Sequence, residues 1–128
     1  MGVEHVLKEL EAEGADRESL FEIIEEVLIE LNWDVKKGIP GKYIEANYGT
    51  LFGTGVPSIA KIWLTDIEGG TRLKAEITSR GWKFGALVRR ELKDRLDYLL
   101  YCVERLCKKR GVSREFRTIS EKAWMGGP

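Results

Sequence analysis

The sequence has few of the residues on which most catalytic and metal sites depend. Its 128 residues include one histidine and two cysteines. With His5 alone, neither a Ser-His-Asp nor a Cys-His arrangement finds support. Cys102 and Cys107 lie about 140° apart around one predicted helix, with no histidine nearby to complete a metal site. We therefore expect buried, reduced thiols, no cofactor, no metal and no enzymatic activity.

Long apolar runs and glutamine are also absent. No run approaches the roughly 20 residues of a membrane span, and the acidic start differs from a signal peptide, so we expect a cytoplasmic protein without a membrane partner. Only three prolines and a hydrophobic fraction of 43% separate the chain from disordered ones. Having no glutamine and a charged fraction of 33% follows the hyperthermophile trend, which predicts a thermophilic source.

The formal charge of zero conceals a sorting of charge along the chain. Residues 1–32 carry 10 acidic and 2 basic side chains, whereas residues 80–128 carry 13 basic and 6 acidic ones. We expect the acidic and basic ends to meet, either within one chain or between two copies.

Apolar residues at helical spacing predict two long helices. The first runs from about residue 17 to 32 and the second from about residue 85 to 111. Between them, four runs with a period of two, near residues 33–36, 43–48, 59–64 and 72–77, predict an antiparallel meander.

The chain ends complete the predicted fold. Apolar spacing predicts short peripheral helices in residues 1–15 and 112–128, with 125–128 as a loose tail. The prediction is a single α+β domain over residues 1–128, in which both long helices of an α-β-β-β-β-α order pack on one face of a four-stranded sheet.

The other face of this sheet is a candidate binding surface. If Ala60, Ile62 and Leu64 face the helices, aromatic and apolar groups share the opposite face with basic ones: Tyr43, Ile59, Lys61, Trp63, Arg72 and Lys74. Such a face suits base stacking and phosphate contacts, a face-to-face dimer, or a ligand cavity closed by residues 49–57. A plain solvated face is the simplest interpretation.

A second basic group surrounds the predicted start of the last long helix. Arg80, Lys83, Arg89 and Arg90 lie near a helix N-terminus, which attracts anions, so they could hold a phosphate or sulfate. The alternative is that the neighbouring Trp82 and Phe84 anchor the strand while the bases are solvated.

The helices offer a further candidate surface for association. The last long helix is longer than the predicted strands by about two turns. These two turns extend beyond the sheet, carry apolar side chains and include Tyr101. Terminal segments or a second subunit would cover them. Glu22, Glu26 and Ile29 mark the acidic outer side of the first helix, which could meet a basic surface.

We interpret the sequence as a non-enzymatic binding or interaction domain that self-associates as a homodimer. The alternative is binding of nucleic acid or of a phosphate-containing ligand through the two basic groups: Lys61, Trp63, Arg72, Lys74, Arg80, Lys83, Arg89 and Arg90. A net charge of zero disfavours strong affinity for nucleic acid.

Overall fold

Six antiparallel strands and two helices make up the part of the chain that this computed structural model describes, residues 3–49, 55–81 and 85–126. In chain order the elements are β1 (Val3–Glu13), α1 (Arg17–Glu30), β2 (Asp34–Ile39), β3 (Tyr43–Tyr48), β4 (Ser58–Ile67), β5 (Gly70–Ser79), α2 (Ala86–Lys109) and β6 (Glu115–Gly126). The sheet order is β2-β3-β4-β5-β1-β6. The first strand therefore lies inside the sheet, between β5 and β6.

The α+β class is confirmed, but the four-strand count and the short terminal helices are wrong. Residues 1–15 and 112–128 contain the strands β1 and β6, which pair with each other from Val3↔Gly126 to Glu13↔Glu115. Residues 125 and 126 belong to β6 rather than to a tail, and residues 127 and 128 lie outside the described residues. The order is therefore β-α-β-β-β-β-α-β.

Both helices pack on one face of the sheet, as the predicted alternation requires. The β4 residues Ala60, Ile62 and Leu64 are 5% exposed or less, and they share one apolar core with α1 and α2. Neither described helix is long and apolar enough to cross a membrane. The two helices leave the opposite face of the sheet uncovered, and we call it the open face.

Two charged residues on the buried face of β1 explain why its sequence does not alternate like a strand. Glu4 is fully buried, and its Oε1 accepts a hydrogen bond of 2.8 Å from Nη2 of Arg89 in α2. Lys8 Nζ lies 3.2 Å from a carboxylate oxygen of Asp97, also in α2. Because both partners lie more than 80 residues away in sequence, no local pattern reveals them.

Asp97 joins α2 to β1 through Lys8, and it also pairs with Lys93 within α2. Burial alone would raise the pKa of its carboxyl group, but hydrogen bonds from Lys93 at 2.9 Å and Lys8 at 3.2 Å hold that pKa below its usual value. Asp97 therefore stays charged and stabilises the fold at neutral pH.

An irregularity hides the strand character of β6. Its pairing with β1 shifts register between Glu9 and Leu10, whose partners are Ser120 and Thr118, so Ile119 is an extra residue. Phe116 packs against the core, whereas Ile119 is 42% exposed. An inserted residue of this kind breaks the period of two on which strand recognition depends.

Individual residues explain where the helices begin and end and why glycine opens β5. Asp16 caps α1, since its carboxylate accepts a 2.9 Å hydrogen bond from the Ser19 N–H. Gly111 follows α2 with a φ of +70°, a conformation that favours glycine after a helix. Gly70 opens β5 so close to β1 that an added Cβ would lie 2.2 Å from the Ala12 carbonyl oxygen.

Candidate functional site

The open face of the sheet brings together the aromatic and basic residues that the sequence places there. Tyr43, Trp63 and Lys74 form one row across β3, β4 and β5. The Tyr43 and Trp63 rings lie 5.4 Å apart between centroids, and Lys74 Nζ lies 5.5 Å from the Trp63 centroid. The row is an aromatic surface with a cation at one end.

A groove of about 650 Å³ lies beside this aromatic pair. Three basic side chains and one acidic side chain contribute to its lining, so its formal charge is positive. Its lining residues are Arg17, Ile39, Lys42, Tyr43, Lys61, Trp63, Leu64, Thr65 and Asp66. We call this feature the open-face groove.

Tyr43 is fixed in place by its own strand. Its hydroxyl group donates a 2.8 Å hydrogen bond to Oε1 of Glu45. Burial, together with this neighbouring carboxylate, raises the pKa of Tyr43 to about 12. The phenol therefore stays neutral, and its ring presents a rigid apolar surface to the groove.

Acidic residues interrupt the bases on the rest of the open face. Lys61 lies between Glu45 and Glu76 on the neighbouring strands. Arg72 donates to Glu11 at 3.2 Å, and Arg117 donates to the other oxygen of the same carboxylate at 2.9 Å. These hydrogen bonds hold the pKa of Glu11 below its usual value. The basic residues of the open face therefore do not form a continuous positive surface.

Ile59 shares the open face but lies outside the groove lining. Its nearest neighbours across the sheet are Asn47 and Thr78. Thr78 in turn bonds His5, whose ring stacks on Trp124 at 4.9 Å. This second aromatic pair lies at the β6 edge, away from the open-face groove.

Of the described basic residues near the start of α2, Arg89 already has an anionic partner within the chain. Arg89 contacts the buried Glu4, which supplies the negative charge. Arg80 follows β5 and is half-buried, while Arg90 is exposed on α2. Lys83, like Trp82 and Phe84, lies outside the described residues.

A polar network follows Arg89 along α2. The Arg95 guanidinium donates to Glu91 at 2.9 Å and to Ser58 Oγ at 2.9 Å, and it lies 4.5 Å from the Tyr48 ring centroid. Glu91 also accepts a 2.6 Å hydrogen bond from the Val56 N–H. The network fastens the segment before β4 to α2, and no local sequence pattern indicates it.

The candidate association residues on the helices have different environments. Glu26 forms a two-point ion pair with Arg110, so the acidic and basic ends of the chain do meet within one molecule. Glu22 and Ile29 are exposed on α1, the latter by 62%. Tyr101 is 55% exposed and lines a second groove, of about 520 Å³, between α1 and α2.

Some residues of the open-face groove can be assigned to it from the sequence pattern, and others cannot. Tyr43, Lys61 and Trp63 follow from strand alternation, and Thr65 continues the same alternation. Arg17 comes from the first turn of α1 and carries no sequence signal for the groove. No group of three or more histidine, cysteine, aspartate or glutamate side chains suited to a metal ion occurs within residues 3–49, 55–81 and 85–126.

Comparison with known proteins identifies the fold. No protein-family model and no curated protein matches the sequence. The crystal structure of protein SSP2350 from Staphylococcus saprophyticus is similar with a TM-score of 0.54 and 15% identity, over 87% of this chain and 96% of that one. Ara h 8.0201 is similar with a TM-score of 0.52 and 14% identity, over 83% and 99% of the two chains. These similarities show that the chain shares an α+β fold with both proteins.

Proposed function

We propose that this protein is a non-enzymatic binding domain that holds a small, planar, anionic molecule in the open-face groove. The observation that carries the proposal is the meeting of the Tyr43–Trp63 pair with the cations Arg17, Lys42 and Lys61 around one groove. A volume of about 650 Å³ lies within the range of small-molecule sites.

Each part of the groove supplies one element of recognition. The Trp63 and Tyr43 rings offer flat apolar area on which an aromatic ligand can stack. Lys42 and Lys61 place positive charge around the same groove. Arg17 lies only 3.7 Å from Asp66, and Lys61 lies between Glu45 and Glu76. Because both charges are partly compensated, we expect each lysine to contribute only modestly to attraction of the anion.

A long nucleic acid fits this face less well than a small ligand. Glu9, Glu45 and Glu76 lie beside the lysines on the neighbouring strands. A polyanion that crossed the sheet would have to approach these carboxylates, whereas a single small anion in the groove would avoid most of them. The local charge pattern therefore favours the small ligand over the alternative.

Two fluorescent probes of similar shape test the proposal. 8-Anilinonaphthalene-1-sulfonate is aromatic and anionic, and N-phenyl-1-naphthylamine is its neutral counterpart. We expect Trp63→Ala to weaken binding of both probes about tenfold, because it removes the stacking surface. Lys42→Gln and Lys61→Gln should weaken only the anionic probe, by about threefold each.

Lys122→Gln is the matched control, because Lys122 is exposed on β6 and does not line the groove. It should bind both probes as the wild type does. Circular dichroism establishes that each variant is folded. Unchanged binding of the anionic probe to folded Trp63→Ala would refute the proposal, as would equal effects of the Lys122 and Lys61 substitutions.

A single-stranded oligonucleotide provides the competing measurement. If the oligonucleotide binds more tightly than the anionic probe, and its affinity falls steeply with salt, the nucleic-acid alternative is correct and the small-ligand proposal fails. We expect weak oligonucleotide binding that Trp63→Ala barely changes.

A further inference from the structure

The groove between the two helices lies on the opposite side of the molecule from the open-face groove. Tyr98 and Tyr101 of α2 line it and are 58% and 55% exposed. Apolar groups lie with them, namely Val27 of α1, Leu31 directly after α1 and Leu106 of α2. Two tyrosines that expose more than half of their surface beside apolar side chains are typical of association surfaces.

The rim of this groove carries opposite charges on its two sides. Glu30 lies on the α1 side, and Arg105 and Lys109 lie on the α2 side. Other ion pairs of these helices use different side chains, namely Glu26 with Arg110 and Glu104 with Lys108. Among the described residues, no ion pair occupies Glu30, Arg105 or Lys109.

We propose that this helix groove binds a second copy of the chain about a two-fold axis that runs along the groove. Such an axis places α1 of each copy over α2 of its partner. Glu30 of one copy then approaches the partner's Arg105, and the partner's Glu30 approaches Arg105 of the first copy. The charge arrangement is therefore self-complementary, as a two-fold interface requires.

Two charge-reversal variants test this arrangement. Glu30→Lys alone places two positive charges together at each rim contact of the dimer, and Arg105→Glu alone places two negative charges together. We expect each variant to weaken dimerisation at least tenfold by sedimentation equilibrium. An equimolar mixture of the two should dimerise again, because the mixed dimer restores opposite charges at both rim contacts.

Glu22→Lys is the matched control, because it makes the same charge change on α1 but does not line the groove. It should dimerise as the wild type does. Tyr101→Ala tests the apolar part and should also weaken the dimer, without rescue by either charge variant.

Three outcomes would overturn the inference. They are a wild type that stays monomeric up to about 100 μM, a mixture of the two charge variants that stays monomeric, and a Glu22→Lys variant as weak as Glu30→Lys. The helix groove and the open-face groove lie on opposite faces, so probe binding is expected to persist in the monomeric variants. Failure of the dimer is thereby distinguishable from failure of the ligand proposal.

Discussion

The ion pair between Glu4 and Arg89 predicts an unusual asymmetry in stability. The Glu4 side chain is fully buried, whereas the Arg89 side chain is 41% exposed. In Arg89→Met, the Glu4 carboxylate would stay buried without its cation. In Glu4→Met, by contrast, the guanidinium group can move into water. The two substitutions remove the same contact but leave different residues behind.

The magnitudes follow from that difference in burial. Removing one partner of a buried ion pair costs roughly 3–5 kcal/mol, and the partial exposure of Arg89 favours the lower limit, about 3 kcal/mol. Glu4→Met leaves a guanidinium group that is already 41% exposed and can reach water, so we expect it to cost only about 1 kcal/mol. Replacing both partners of a buried pair by apolar side chains is often close to neutral. The double variant Glu4→Met/Arg89→Met should therefore be more stable than Arg89→Met alone.

Urea unfolding at pH 7, followed by circular dichroism, gives the free energy of unfolding for all four proteins. Thermal unfolding should show the same order, with Arg89→Met about 10 °C below the wild type. If Glu4→Met is as destabilised as Arg89→Met, or if the two effects simply add, burial of Glu4 does not control the energy of this pair and the reasoning is wrong.

Three further predictions concern separate parts of the fold. Asp97→Asn should lower the stability at neutral pH, and the difference from the wild type should shrink as the pH falls below the ordinary aspartate value of 3.8 and through the lowered pKa of Asp97, because a carboxyl group with a lowered pKa loses its stabilising effect as it becomes protonated. Unfolding curves across pH measure this, and a constant difference would contradict it. Burial raises the pKa of Cys107 to about 12, so an aromatic disulfide reagent at pH 8 should modify the half-buried Cys102 much faster; equal rates in the folded protein would contradict this. Gly70→Ala should lower the free energy of unfolding by about 2–3 kcal/mol, because the added Cβ must move away from the Ala12 carbonyl oxygen. An unchanged denaturation midpoint would contradict this, since it would show that β5 moves away from β1 without cost.

The parts of the fold that the sequence predicts are those with local signals. The apolar stripe from Leu20 to Leu31 and the strand alternation in β4 depend only on neighbouring residues, and both match the structure. In β1, Glu4 and Lys8 face the core because distant residues of α2 neutralise them. That arrangement needs tertiary structure, so the local pattern resembles a short helix instead.

The candidate site follows the same division. Alternation alone assigns Tyr43, Lys61 and Trp63 to one face, and register then places their rings and charges around one groove. Arg17 joins them only because the start of α1 approaches the end of β4, where Arg17 contacts Asp66. The partner of Arg89 is equally inaccessible to sequence reasoning, since a buried glutamate in the first strand contradicts the usual rule for charged residues.

The position of β1 has a consequence for how the chain acquires its structure during synthesis. A ribosome releases β1 first, yet its two neighbours in the sheet are β5 and β6, and Val3 pairs with Gly126. Until the last strand emerges, β1 has an open edge that could pair with another nascent chain. We therefore expect the sheet to be completed only after β6 has left the ribosome, and chains truncated before β6 to aggregate.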